Sequence, residues 1–302
     1  MERNNHFRVW EQVKVARYFK RITIVGPGLI GGSIGIDALR LKLAEEVIGV
    51  GRRPSSLRTA LKAGALSRAT LDLADGVAQA DLLIFATPVR TILPLACRIV
   101  TLLKPGAVIT DVASTKSELV LGMAALLKKT GRKDISFVGS HPLAGSHRRG
   151  AAAAHSGLFQ GAVCILAGAV NPRHDAVARL TAFWKALGMK VVVMSPQRHD
   201  ALLAQASHLP HLLAAALMRT TEKEALKVAA GGFRDTTRIA ASDPALWTDI
   251  ILTNRGPVLR RIRNLQKCLL TIERAVSSRK GTTLKRILAR SAAQRGNLEQ
   301  KK

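Results

Sequence analysis

Between residues 21 and 193 the chain alternates short, continuous apolar runs with longer amphipathic stretches. The runs are Ile22–Val25, Val47–Val50, Leu82–Ala86, Ala107–Thr110, Ser136–Val138, Val163–Leu166 and Lys190–Val193. Uninterrupted apolar runs suit strands buried on both faces, and the spacing between them leaves room for crossover helices. This predicts an α/β domain with a doubly wound parallel sheet covered on both sides. After Ser195 the strand pattern stops. Residues 199–218 (HDALLAQASHLPHLLAAALM) read as an amphipathic helix with Pro210 inside it, which predicts a kink there. Further helical patterns run through 258–276 to Ile287. The expected organisation is an N-terminal extension over 1–20, the α/β domain over 21–194, an all-helical domain over 195–287 and a frayed basic tail over 288–302.

Composition supports two folded domains in 302 residues: 47% of the chain is hydrophobic, enough to bury a core. Cys97, Cys164 and Cys268 are scattered and form no CxxC, so they read as thiols of a reducing compartment. No apolar run reaches the length of a membrane span and the charged N-terminus lacks a signal-peptide core, so a cytoplasmic protein is expected. The net charge of +27 is the unusual number. Its Lys and Arg residues are spread along the chain, and aromatic residues make up only 4%. No groove-reading or base-stacking motif accompanies them, so no specific nucleic-acid partner is expected. An anionic substrate and a phosphate-bearing cofactor would suit the same positive field. Charge alone does not choose between these readings.

The first chemical motif is Gly26-x-Gly28-x-x-Gly31, which directly follows a β-type run and opens a helical one. In that setting the three glycines serve a tight turn, a close approach of backbone to pyrophosphate, and close packing of helix on strand. This makes the sheet Rossmann-type and binds a dinucleotide through Gly26, Gly28, Leu29, Ile30 and Gly31, with Thr87 and Pro88 after the third run completing the cofactor set. The second run ends in Gly51-Arg52-Arg53-Pro54-Ser55-Ser56, with no carboxylate to hold a ribose 2′-hydroxyl. Arg52 and Arg53 suit a 2′-phosphate, so NADP is favoured over NAD.

Four constellations follow. In DVASTKSEL (111–119), Thr115 and Glu118 have capping-box spacing, and Ser114 falls at the carboxyl edge of the sheet. In GSHPLAGSHRRG (139–150), His141 falls at the same edge. His208 and His211 sit three apart on one helix face, but no third ligand is at hand and no metal is expected. In GGFRDTTRIAASDPALWTDI (231–250), Arg234 and Arg238 are i, i+4 and form a fork for carboxylates if the segment is helical.

Taken in order, GLIGGS, DVASTKS, SHPLAGS, SHLPH and GGFRDTTRIAASDPALWTDI resemble the prephenate/arogenate dehydrogenase family of tyrosine biosynthesis, over residues 20 to 275. The resemblance implies a Rossmann domain followed by an all-helical dimerisation domain, hence a homodimer. It also implies oxidative decarboxylation of prephenate, or of its amino counterpart arogenate, with NAD or NADP. By the family pattern His141 accepts the proton of the substrate's C4 hydroxyl, assisted by Ser114 hydrogen-bonded to that hydroxyl or to the histidine. Arg238 holds the ring carboxylate, and His208, His211 and Trp247 line the pocket from the helical domain, with Arg234 and Ser146 as further substrate contacts. Where most relatives carry a glutamate after SHPLAGS, this chain has His147. A different acid dehydrogenase of the same architecture would instead place a catalytic lysine on the helical domain. Nothing in the residues chooses prephenate over arogenate.

Overall fold

A computed structural model describes residues 18–145, 148–171 and 174–299. It divides into two compact units. Of the described residues, the first comprises those up to Asp200 together with Ser242–Thr253, and the second comprises Ala201–Ala241 and those from Asn254 to Glu299.

The first unit is built on one eight-stranded sheet. Its strands are β1 (Phe19–Val25), β2 (Ala44–Val50), β3 (Arg68–Thr70), β4 (Leu82–Phe85), β5 (Val108–Asp111), β6 (Ser136–Pro142), β7 (Val163–Val170) and β8 (Lys190–Met194). They lie in the order β3-β2-β1-β4-β5-β6-β7-β8. All seven predicted runs are strands. β3 was not predicted, because three residues (Arg-Ala-Thr) at a sheet edge carry no apolar run. The sheet is also not wholly parallel: β7 runs antiparallel to β6, and β8 is parallel to β7. An apolar run buried on both faces has the same appearance in either direction, so direction was not legible from it.

The crossovers are α1 (Leu29–Arg40), α2 (Pro54–Lys62), α3 (Leu73–Val77), α4 (Val89–Ile99), α5 (Ser117–Lys129) and α6 (His174–Ala186). Alternate strand residues feed two cores, as the two-residue period requires. Ile22, Ile24, Leu82 and Ile84 pack with Ile34 of α1, Leu57 of α2 and Leu180, Phe183 and Trp184 of α6. Val25, Leu83 and Phe85 pack on the other face with Ile92 and Ile99 of α4 and Met123 and Leu127 of α5. Trp184 is fully buried, and its indole N–H donates to Ser140 Oγ at 3.2 Å.

From Pro196 the chain is helical: α7 (Pro196–Leu203), a π-helical turn (Ala204–His208), α8 (Leu209–Thr220), α9 (Lys223–Leu226), α10 (Gly231–Thr237), a 3₁₀ turn (Arg238–Ala241), α11 (Pro244–Thr253), α12 (Arg255–Ser277) and α13 (Gly281–Glu299). The kink expected at Pro210 is realised as the π turn just before it, where Leu209 N–H bonds the carbonyl of Ala204, five residues back. The proline has no N–H to give and its ring crowds the preceding turn, so the ladder widens by one residue. The expected frayed tail is helical instead: α13 runs through Glu299. By length and composition Pro196–Thr220 is apolar enough to cross a membrane, contrary to the expectation that no stretch would be, and the core helix of a soluble protein can have the same length and composition. His199, Asp200 and His208 within it are buried and hydrogen-bonded inside the protein.

Gly35 of α1 marks where helix and loop nearly touch, since a Cβ there would lie 2.0 Å from the carbonyl oxygen of Ala65. Gly35→Ala is expected to lower stability by at least ~1–3 kcal/mol through overpacking against backbone, read as a reduced urea midpoint at constant m-value.

Candidate active site

The predicted residues of the first unit share one edge of the sheet. Ligands of such folds bind outside the carboxyl ends of the strands, where the strand order reverses, and here the order reverses between β1 and β4. The glycine loop follows β1, Arg52 and Arg53 follow β2, Thr87 and Pro88 follow β4, Ser114 follows β5, and His141 is the penultimate residue of β6.

The loop after β1 fits a dinucleotide. Gly26 has φ +90°, and a Cβ there would lie 2.7 Å from Thr87 Cγ2 and 2.8 Å from the Ala86 carbonyl. At Gly31 a Cβ would meet the Gly26 carbonyl at 2.6 Å, so the helix starts hard against the loop. At Gly28 a Cβ would meet no protein atom within 4 Å, which leaves the backbone open to a ligand. Leu29 and Ile30 begin α1, whose first turn has no acidic residue to oppose an anion at the positive helix end. Arg52 and Arg53 are exposed, and no carboxylate stands between Gly51 and Ser56.

β6 continues beyond the predicted Val138 through Pro142, with an irregularity between Val138 and Ser140. His141 is therefore a buried strand residue, not a loop residue, and pairs with Ile165 of β7. Its Nδ1 lies 2.8 Å from Nε2 of His199, whose own Nδ1 lies 2.8 Å from Oδ1 of Asp200. The hydrogen bond at His141 Nδ1 thus goes to His199, a partner that the expectation for Ser114, a bond to the substrate hydroxyl or to this histidine, did not include. Both His199 and Asp200 are buried on α7.

Asp200 also overturns the capping box expected at Thr115 and Glu118. α5 begins at Ser117 without a side-chain cap from Thr115. Asp200 accepts the N–H of Lys116 on Oδ1 (2.9 Å) and that of Ser117 on Oδ2 (2.8 Å). Thr115 Oγ1 instead pairs with Thr253 Oγ1 at 2.9 Å. Burial alone would raise the Asp200 carboxyl, but hydrogen bonds from His199, Ser117 and Lys116 outweigh it and hold it below the usual carboxylate range.

A second buried polar centre holds the Ser114 loop. Lys116 Nζ bonds Asp111 Oδ2 (2.5 Å) and the carbonyls of Ala113 (2.7 Å) and Thr115 (3.3 Å), the two neighbours of Ser114. Asp111 also accepts the N–H groups of Ala113 and Ser140. Lys116 and Asp111 are both 0% exposed, and burial pushes the Asp111 carboxyl upward against the pull of Lys116.

In the second unit His208 and His211 are buried, and His208 Nδ1 faces Asn254 Nδ2 at 3.0 Å. The π turn ends at His208 and α8 carries His211, and burial lowers the His211 imidazole below its usual range. Arg234 lies on α10 and Arg238 follows it in α-helical backbone conformation, so the i, i+4 relation holds, and both side chains are exposed. Trp247 belongs to α11 and so to the first unit, not to the helical one as expected. The α11 segment is tied to its unit by Asp243–Arg149 and Asp249–Arg90 ion pairs. Ser146 and His147 lie outside the described residues. No cluster of three metal-ligating side chains occurs among the described residues.

Sequence reasoning missed Asp111, Lys116, His199, Asp200 and Asn254. The available signals were a lysine two residues after Ser114, five after Asp111, and an adjacent His-Asp pair within the first helix after the last strand.

Comparison with known proteins gives two family matches. Residues 37–193 match the family model described as prephenate dehydrogenase, nucleotide-binding domain, and residues 195–290 match prephenate dehydrogenase, dimerization domain. The chain is 36% identical over 267 residues to a prephenate dehydrogenase of Lactococcus lactis subsp. cremoris, covering 86% of this chain and 72% of the relative. It is 31% identical over 277 residues to a cyclohexadienyl dehydrogenase of Zymomonas mobilis, covering 88% and 92%. Among solved structures it resembles prephenate dehydrogenase from A. aeolicus in complex with hydroxyphenyl propionate and NAD+ (TM-score 0.85, 29% identity, 95% and 100% coverage). It also resembles a Synechocystis arogenate dehydrogenase (TM-score 0.79, 30% identity, 92% and 99% coverage).

Lys116→Met would leave the Asp111 carboxylate buried without its cation. It is expected to cost roughly 3–5 kcal/mol of unfolding free energy, measured by urea denaturation.

Proposed function

The chain belongs to the prephenate dehydrogenase family, and on that premise we propose that it catalyses the oxidative decarboxylation of prephenate to 4-hydroxyphenylpyruvate and CO2 with a nicotinamide cofactor. The observation that carries this reading is the placement of His141, buried at the carboxyl end of β6, on the same sheet edge as the glycine loop of β1. The nicotinamide, when bound, supplies the acceptor for the hydride that leaves C4 of the substrate. His141 takes the proton of the C4 hydroxyl, a task suited to an imidazole near neutral pH. Ser114, presented by the loop that Lys116 holds, hydrogen-bonds that hydroxyl. Arg238 is the partner of the ring carboxylate, and Arg234, His208, His211, Trp247 and Ser146 are further substrate contacts. Loss of the ring carboxylate as CO2 aromatises the ring and makes the step effectively irreversible. The matched dimerization domain supports a homodimer.

The cofactor proposed is NADP in preference to NAD. The reason is the pair Arg52 and Arg53 at the end of β2, in a stretch without the acid that a ribose 2′-hydroxyl would need. Arogenate is the second reading of the substrate, favoured by the likeness to the Synechocystis enzyme; the two substrates differ only in a keto or amino group on the side chain.

Steady-state rates with prephenate and arogenate, each against NAD and NADP, test the proposal. Turnover of prephenate with NADP is expected to be fastest, and no turnover in any of the four combinations would overturn it. His141→Asn is expected to cut kcat by about 10²–10⁴ while cofactor KM stays within twofold. Arg52→Ala with Arg53→Ala should raise KM for NADP about tenfold or more and leave NAD little changed, because only NADP carries the phosphate.

A further inference from the structure

We propose that His199 and Asp200 are positioning residues that set the tautomer of His141 and share the positive charge it acquires. The proposal rests on the reading of His141 as proton acceptor.

The tautomers follow from the order of the hydrogen bonds. An ionised carboxylate only accepts, so at 2.8 Å from Asp200 Oδ1 the Nδ1 of His199 carries the proton. A neutral His199 then has its lone pair on Nε2. That atom lies 2.8 Å from Nδ1 of His141, which must therefore be the donor. A neutral His141 with its proton on Nδ1 has its lone pair on Nε2, and that nitrogen accepts the substrate proton. Without the two residues nothing in this row would select between the tautomers, and the wrong one presents an N–H where a base is needed.

The same row handles the charge. When His141 Nε2 gains a proton, Nδ1–H can shift to His199 Nε2. The imidazolium then lies next to the Asp200 carboxylate, and no atom is gained or lost in the row. Asp200 does not take the proton itself. It accepts two backbone N–H groups at the positive end of α5, which favours its anion. Among the described residues, the titratable groups on and beside the neighbouring strands are engaged elsewhere or neutral. Asp111 and Lys116, beside β6, are paired with each other, and burial pushes the Cys164 thiol on β7 up so that it stays neutral. Asp200 is thus the carboxylate coupled to the histidine pair.

Asp200→Asn and His199→Gln test this through the pH dependence of kcat/KM for prephenate, whose acidic limb reports the free base. Both are expected to lower kcat on the order of 10–100-fold and to move the acidic limb downward by about one pH unit, because the imidazolium loses its carboxylate. KM for the cofactor should stay within twofold. Lower stability with an unmoved acidic limb and normal kcat would mean a purely structural role and overturn the proposal. Should either variant fail to fold, side-chain ¹⁵N shifts of the wild-type protein, with His141→Asn for assignment, read the tautomers directly. Protonated Nδ1 and bare Nε2 on His141 at neutral pH are expected, and a protonated Nε2 overturns the proposal. This last readout needs no turnover, so a protein inactive on prephenate and arogenate that still shows the Nδ1–H tautomer would remove the functional reading and leave the hydrogen-bonded row standing.

Discussion

The carboxylate of Asp200 is the contact on which the site in the first unit depends. Its two oxygens accept the N–H groups that open α5 and the Nδ1–H of His199. One buried side chain therefore ties the Ser114 loop to α7, and through His199 to the carboxyl end of β6. A helix end leaves its first N–H groups without partners, and burying them unpaired is costly. Here the cap arrives from more than eighty residues along the chain, so α5 is capped only when α7 is docked.

Beside this contact lies the pair Lys116–Asp111. Two charges removed from water lose several kcal/mol of hydration each, and their attraction offsets that only when their remaining hydrogen-bonding capacity is met. It is met here: Asp111 takes the ammonium and two backbone N–H groups, and the ammonium also holds two carbonyls. The consequence is geometric. Ser140 N–H bonds Asp111, and Ser140 Oγ joins Thr110 Oγ1 at 2.7 Å, so the ends of β5 and β6 are locked at the point where Ser114 and His141 emerge.

The large positive charge is a matter of surface. Several of the few acids are committed inside the fold or to neighbouring cations, as with Asp37, Asp111, Asp200, Asp75 and Asp243. The surplus stands in solvent, for example at Arg52 and Arg53 after β2 and at Arg260, Arg263 and Lys267 on α12. Such a field favours anionic small molecules by raising their local concentration, and the cofactor and substrate proposed above are both anionic.

Much of the molecule was legible in its residues. Apolar runs located seven of eight strands, the glycine spacing located the nucleotide loop, and ordered motifs identified the family, because these signals are local: they depend on backbone period, side-chain size and short spacing. Arg52, Thr87, Ser114 and His141 could be placed at one edge because each follows or ends a strand, and strand ends are legible. What the sequence could not determine was the direction of β7, the α11 segment's membership of the first unit, the π turn before Pro210 and the partners of His141 and of the α5 terminus. The capping box at Thr115 and Glu118 was a sound local expectation that lost to Asp200, since a carboxylate brought in by folding can satisfy two N–H groups and a histidine at once. Pairings such as His141 with His199, 58 residues apart, exist only once the sheet has formed, because hydrogen bonds depend on separation in space and the sequence records only separation along the chain.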